Sequence, residues 1–570
     1  MQPVTRLWLP LLAFCYITLA SARSHTDSSH RVAINSGVLE GVSFGSATDE
    51  VMFLGIPYPA PPTGDRRWKP PQPVEKWQGT RKANAYGAAC PQVDDPWTEA
   101  LAKEIVQRFE PYFTYHTDED CLYLNIFTTN LPRDHPVAAK LPVMFWIHGG
   151  GNVSGASQVD AMGAALARKG VVLVSTNFRL GALGFLAHPA LTAESPHHAS
   201  GNYGLLDQIA ALEWVRRNIE SFGGDSSNVT IFGGSAGAVN VCYLMASPLE
   251  RGLFHRAILE SNTCSDFISP SLKTPSNYWE GNGTSEDIGL KLMHDLGIPN
   301  SPDALTKLRA KSVKEILDAS NRDPAVHWGL ETVDGWVLTE QPATALVQGR
   351  LTKVPVIVGS NSDEATVTVE GDLRAAPTLA NYKAYLKSEF ENDTDADELF
   401  RMYPAATDAD ARSAFIRFDT DYNFGFAVHR LALNAAREGQ KAWFYYFTYP
   451  GRSKYYTGLG ACHEIELTFL TGWFRPSQWG EPNGEDKKLA DLMTGYWTQF
   501  AKTGDPNGPG LPPWSVYDPK TDMVQEIGHE VKQRPTPHTD RFAVYERILN
   551  RKLATISRWG GAESDTTPQN

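Results

Sequence analysis

The stretch from Val229 to Asn240 constrains this chain more than any other. Val229, Thr230, Ile231 and Phe232 form a short apolar, β-branched run that reads as a buried strand. The run stops at Gly233, Gly234, Ser235, Ala236 and Gly237, after which Ala238 to Ala246 reads as a helix. A serine held at the apex of a strand-turn-helix needs small residues on both sides, because strand and helix must pass closely there. Gly233 and Gly237 fill those positions. The following helix points its free N–H groups and positive dipole end at any anion that develops beside Ser235. The N–H of Ala236, one residue on, is a natural donor to it. A bare G-x-S-x-G also occurs as a plain glycine-rich turn; the strand before it and the helix after it give it weight.

A second glycine cluster lies upstream. Leu141 to Ile147 reads as a buried strand and runs straight into His148, Gly149, Gly150 and Gly151. Consecutive glycines let the backbone approach a substrate and turn N–H groups inward, as an oxyanion site requires. Such a cluster after a strand, upstream of G-x-S-x-G, is the pairing expected of an α/β-hydrolase. Cys121 to Phe127 and Val171 to Ser175 read as further buried strands. Asp207 to Phe222 reads as an amphipathic helix through Ile209, Leu212, Val215 and Ile219, ended by Gly223 and Gly224. This alternation predicts an α/β fold, a mostly parallel central sheet with helices on both faces. Catalytic groups of such sheets gather at the carboxyl ends of strands, where Ser235 falls. Val32 to Gly41 suggests an N-terminal hairpin on an edge, and the proline-rich path from Pro59 to Trp68 cannot be helix.

With 570 residues, no internal repeat and no low-complexity linker, the chain reads as one insertion-bearing domain, 23–570, behind a signal peptide, 1–22. The signal is Arg6, an apolar run from Leu7 to Ala20, and small residues at Ala20, Ser21 and Ala22. That run is too short to span a bilayer, and no later stretch is apolar enough, so secretion without a membrane segment is expected. A formal charge of -13 argues against nucleic acid or an anionic membrane as partner. The 11% aromatic content favours a deep apolar interior or cleft. In a secreted chain Cys90 and Cys121 are expected to pair, closing a loop that stabilises by about 3–4 kcal/mol in the chain-entropy model; two free thiols are the alternative. Cys15 leaves with the signal, so Cys242, Cys264 and Cys462 remain and at least one is unpaired; a bridge between Cys462 and Cys264 is the one considered. Sequons at Asn228, Asn282 and Asn392 make a glycoprotein of it in a host that glycosylates, whereas Asn152 sits too near the predicted site.

The run from Gly201 through Asp207, Trp214, Asn218 and Phe222 to Ser235 resembles the type-B carboxylesterase family, which includes cholinesterases and bile-salt-type lipases. Glu119 to Asn125 matches its second signature, and the likeness extends from Phe53 to Trp514. The resemblance implies an α/β-hydrolase fold with large insertions and a catalytic order of serine, acid, histidine. It puts the acid on Glu364, in the segment from Ser360 to Ala365, with Asp363 as the alternative. It puts the base on His463, in the segment from Gly460 to Glu466, and the oxyanion donors on the N–H groups of Gly150, Gly151 and Ala236. His255 reads instead as a packing residue.

The implied activity is hydrolysis of small-molecule carboxylic esters through an acyl-enzyme, needing no metal and no cofactor. His463 deprotonates Ser235 and Glu364 fixes its tautomer, so activity should fall below about pH 6–7 as the imidazole protonates. The other enzyme reading is a lipase or sterol esterase acting on long-chain esters. A catalytically silent adhesion or binding relative is the non-enzymatic one, and such relatives typically lose the serine or histidine. Two departures from the family bear on the pocket. The family usually carries Glu just before the nucleophile, where Gly234 stands; a buried carboxylate is thereby missing, cationic substrates are less expected, and Glu260 is read either as compensating for it or, equally, as a surface or packing residue. Trp97 lies early in the first cysteine loop, with Tyr112 and Phe113 later, which does not support a choline site, and Asn152 with Val153 implies a differently lined pocket.

Overall fold

The β-branched and aromatic runs pair into one twisted sheet. In the computed structural model, residues 30–560 are described except 48, 93–115, 133–138, 265–267, 275–282, 323–327, 370–375, 391–392, 453–456, 473 and 475–478. The signal segment 1–22, Trp97, Tyr112, Phe113, Asn282 and Asn392 lie outside the described residues. Strands β1 (Arg31–Ile34) and β2 (Gly37–Glu40) form the expected hairpin. It belongs to a small sheet of its own with β5 (Thr80–Lys82) rather than to the edge of the main one, whose first strands are β3 (Val42–Ser43) and β4 (Val51–Pro57). The path from Pro59 to Trp68 holds a single helical turn, Gly64–Arg66.

The main sheet continues with β6 (Tyr123–Thr128), β7 (Leu141–Ile147), β8 (Val172–Thr176), β9 (Gly224–Gly234) and β10 (Arg256–Glu260). It ends with β11 (Val356–Asn361), β12 (Ala442–Phe447), β13 (Met523–Ile527) and β14 (Val531–Pro535). Its order is β14-β13-β12-β11-β10-β9-β7-β8-β6-β4-β3. All pairings from β8 to β13 are parallel, and those toward both edges are antiparallel. The order reverses at β7, which has β8 on one side and β9 on the other. A crevice opens outside the carboxyl ends of strands at such a reversal, and Ser235 follows β9 directly.

Parallel strands covered on both faces read as continuous apolar runs, and side chains at alternate positions enter two separate cores. Val143, Phe145 and Ile147 of β7 face one, with Val229 and Ile231 of β9. Met144 and Trp146 face the other, with Phe232. The helix Tyr203–Asn218 packs on the first face with the helix Ala236–Ala246; the helix Gly484–Thr503 covers the second. The long connection between β11 and β12 carries the helices Leu379–Phe390, Asp393–Met402 and Asp408–Asp419, which build a third core with the C-terminal helix Thr539–Gly560. This is the α/β architecture with large insertions that the sequence implied.

Cys90 and Cys121 are bonded, as expected. The pairing considered between Cys462 and Cys264 is overturned: Cys264 is bonded to Cys242, and Cys462 is a free, buried thiol. The reason is that the helix Ala236–Ala246 returns alongside β10, which sets Cys242 against the residue just past that strand, with Cα atoms 5.4 Å apart.

Candidate active site

Ser235 adopts φ 54° and ψ -127°, a strained conformation for a residue with a Cβ, and caps the helix Ala236–Ala246. Its backbone N–H donates to Glu260 O at 2.9 Å, and its carbonyl accepts from Ala238 and Val239 in the first helical turn. The flanking glycines are steric necessities. A Cβ on Gly233 would stand 2.6 Å from both Ile147 O and Gly237 C, and one on Gly237 only 2.2 Å from Ile147 O. Strand β7 and the helix therefore touch through glycine, and the serine is lifted clear of the sheet.

The glycine loop after β7 lies against this elbow. A Cβ on Gly149 would come within 2.9 Å of Gly234 O and 3.2 Å of Ser235 Cβ. Gly150 and Gly151 take φ 99° and 61°, which turns successive peptide planes and which glycine alone adopts at low cost. Ala236 N–H belongs to the first helical turn and has no i−4 carbonyl to bond. Asn152, after the triplet, is 3% exposed and locks the loop in place. Its amide donates to Glu331 Oε1 at 2.7 Å and Gly329 O at 2.9 Å, and its Oδ1 accepts from Asn240 of the elbow helix at 2.7 Å. Burial pushes Glu331 up to about 8. Burial also makes Asn152 a poor acceptor for a glycan, and Asn228 is engaged by Arg256.

His463 and Glu364 approach from the next strands. Glu364 opens a helical turn directly after β11 and is wholly buried. It accepts from Asn361 N–H at 2.7 Å and from His463 Nδ1 at 2.6 Å. In the neutral ring, an Nδ1–H donating to a carboxylate leaves Nε2 as the unprotonated nitrogen. Asp363, the alternative acid, is turned to the other side of the histidine loop, where it accepts from Ala461 N–H at 3.0 Å and Ser362 Oγ at 2.6 Å. Among the described residues no hydrogen bond joins the Ser235 hydroxyl to His463, an arrangement common before a substrate is bound. His255 is a satisfied packing residue, its Nδ1 accepting from Val229 N–H at 3.1 Å.

Several residues of the site carry no signal in the sequence. The backbone between Thr420 and Phe426 winds as a π-helix, which widens the turn. It lets Thr420 Oγ1 accept from Ala365 N–H at 3.1 Å and sets the Phe424 ring 4.9 Å from that of His463. Glu466 is a second buried carboxylate: Ser261 Oγ donates to it at 3.1 Å and Asn361 Nδ2 donates to its other oxygen. Burial, then the Glu364 charge, push it up to about 8. Glu260, read as either a compensating carboxylate or a packing residue, is wholly buried facing Glu466, and burial, then the Glu466 charge, hold its carboxyl well above the usual range. For His463, burial favours the neutral ring, but Glu364, Glu464 and Glu466 together outweigh it and raise the imidazole to about 9.

The carboxylesterase family model matches residues 28–544. A fumonisin B1 esterase of Sphingopyxis macrogoltabida is 36% identical over 86% of this chain and 85% of its own. A liver carboxylesterase of Sus scrofa is 32% identical over 90% and 91%. Among solved structures, a PNB esterase superposes with a TM-score of 0.74 at 28% identity, covering 91% of this chain and 99% of its own. The chain therefore belongs to the carboxylesterase family and is a carboxylic ester hydrolase of α/β-hydrolase fold.

Proposed function

We propose that this protein is a secreted serine esterase that cleaves small-molecule carboxylic esters through an acyl-enzyme. The observation that carries this reading is the 2.6 Å contact of His463 Nδ1 with the buried Glu364, on the same sheet end as Ser235 at its strained elbow. Nε2 of His463 takes the Ser235 proton as Oγ attacks the ester carbonyl, and Glu364 stabilises the imidazolium that forms. The N–H groups of Gly150, Gly151 and Ala236 hold the oxyanion, and one such donor contributes about 3–4 kcal/mol to the transition state. Collapse of the tetrahedral intermediate passes the proton to the departing alcohol. Water activated by the same histidine then releases the acid. Two disulfides support an oxidising destination, hence secretion behind the 1–22 signal, with 23–570 as one domain.

Hydrolysis of p-nitrophenyl esters of increasing acyl length by wild type and Ser235→Ala tests the reading. Turnover should vanish in the variant, by about 10⁴-fold or more, together with labelling by a fluorophosphonate. Equal turnover in the two would remove Ser235 from the mechanism. The rate profile along the acyl series separates a carboxylesterase from a lipase.

The pH dependence follows from His463. Its pKa is raised above the ordinary 6.5 to about 9, so the free enzyme gains active base as pH rises through that range and loses it as pH falls. The acid limb of kcat/KM should therefore lie above the pH 6–7 window of an unperturbed histidine. A limb centred at or below about 6.5 would mean that the carboxylates do not act on the imidazole as described.

A further inference from the structure

Gly233 and Gly237 are glycine because backbone stands where a side chain would go. Gly234 is under no such constraint: a Cβ there would meet nothing nearer than Leu467 Cδ1 at 3.4 Å, an ordinary contact. A longer side chain at 234 would instead run toward the carboxylate of Glu464, whose Oε1 lies 3.7 Å from that Cβ position. The same oxygen lies 2.6 Å from the Cβ position of Gly149, in the loop that touches Ser235. Glu464 thus places its carboxylate between the elbow and the glycine loop, in space that Gly234 leaves open.

The chain holds it there against local preference. Glu464 has φ 60°, in the left-handed region that favours glycine. Glu260, Glu364 and Glu466 are wholly buried, whereas Glu464 keeps partial exposure, as do Gly149, Gly150, Ser235 and His463 around it. It therefore opens to the same cleft. Among the described residues no hydrogen bond reaches its carboxylate. Burial raises its carboxyl above the ordinary carboxylate range, the facing His463 opposes that rise and the Glu364 charge adds to it; Glu260 feels its charge in turn.

We propose that Glu464 is a specificity-determining residue, a carboxylate set beside the nucleophile that favours esters with a cationic group near the scissile carbonyl over anionic ones. The expectation that Gly234 leaves the site without a carboxylate, and so disfavours cations, is thereby reversed: the charge enters from the histidine loop instead. The inference rests on the reading of Ser235 as nucleophile. A unit charge placed close to a bound substrate charge changes discrimination on the order of tenfold.

The test uses three p-nitrophenyl esters of matched length, ending in a methyl, a trimethylammonium or a carboxylate group, at mildly alkaline pH. Wild type, Glu464→Gln, Glu464→Gly and the double variant Gly234→Glu/Glu464→Gly are compared, with Tm recorded for each. The wild-type ratio of cationic to anionic kcat/KM should fall on the order of tenfold in both single variants, and glycine at 464 removes backbone strain rather than adding it. In the double variant a carboxylate re-enters the same space from the elbow and the ratio should recover. An unchanged ratio in Glu464→Gln and Glu464→Gly overturns the proposal, as does a folded double variant that cleaves the methyl ester yet stays unselective. Failure of the wild type on all three esters would instead count against the esterase reading itself.

Discussion

Glu364→Gln should lower kcat by about 10⁴-fold with little change in thermal stability. The amide is nearly isosteric, so the loop after β11 keeps its shape. What changes is which hydrogen each end presents. Glu364 accepts from Asn361 N–H and from His463 Nδ1, and both partners can donate to a carboxylate. In the variant, Asn361 N–H claims the amide oxygen, and the NH₂ group is left facing His463. Nδ1 must then become the acceptor, which moves the imidazole proton to Nε2 and deprives Ser235 of its base. Single-turnover acylation with a p-nitrophenyl ester measures the loss. A variant within about tenfold of wild type would place the tautomer-fixing group elsewhere, and Asp363→Asn, expected to act only on the loop that Ala461 closes, is the control.

Gly237→Ala and Gly234→Ala, three residues apart in one motif, should differ sharply. The first would put a methyl group 2.2 Å from Ile147 O and 2.9 Å from His148 O, backbone atoms at the end of β7 and at the start of the glycine loop. Neither can yield without parting β7 from the elbow helix. Destabilisation of about 2–3 kcal/mol is expected, with a loss in kcat/KM on the order of 10²-fold as serine and oxyanion donors lose register. The second meets only side-chain atoms at 3.4 Å and beyond. It should shift stability by no more than about 0.5 kcal/mol. Calorimetric unfolding with esterase assays on both variants decides, and Gly234→Ala as damaging as Gly237→Ala would contradict the sterics described.

Much of this protein is legible in its sequence because the relevant forces are local. Val229 to Phe232, Leu141 to Ile147 and Val172 to Val174 are strands for the same reason they are buried: apolar, β-branched residues fit a pleated surface covered on both faces. Gly233 and Gly237 announce the elbow because no other residue permits so close a crossing. The likeness of motifs around Glu364 and His463 selected the pair that the fold brings into contact.

What tertiary structure alone decided is less regular. The partner of Cys264 depends on which helix returns beside β10, a property of the packing and not of cysteine spacing. Asn152 acts as an anchor of the glycine loop because Glu331, 179 residues on, arrives beside it. The widened turn at Thr420, the raised carboxyl of Glu260 and the placement of Glu464 follow from how remote segments desolvate one another and from a left-handed backbone at a non-glycine residue. Local pattern fixes strands, helices and the turn that bears the serine. The charge of each carboxyl group around His463, and the side of the cleft it faces, is set by burial and by neighbours distant in the chain, which only the folded molecule assembles.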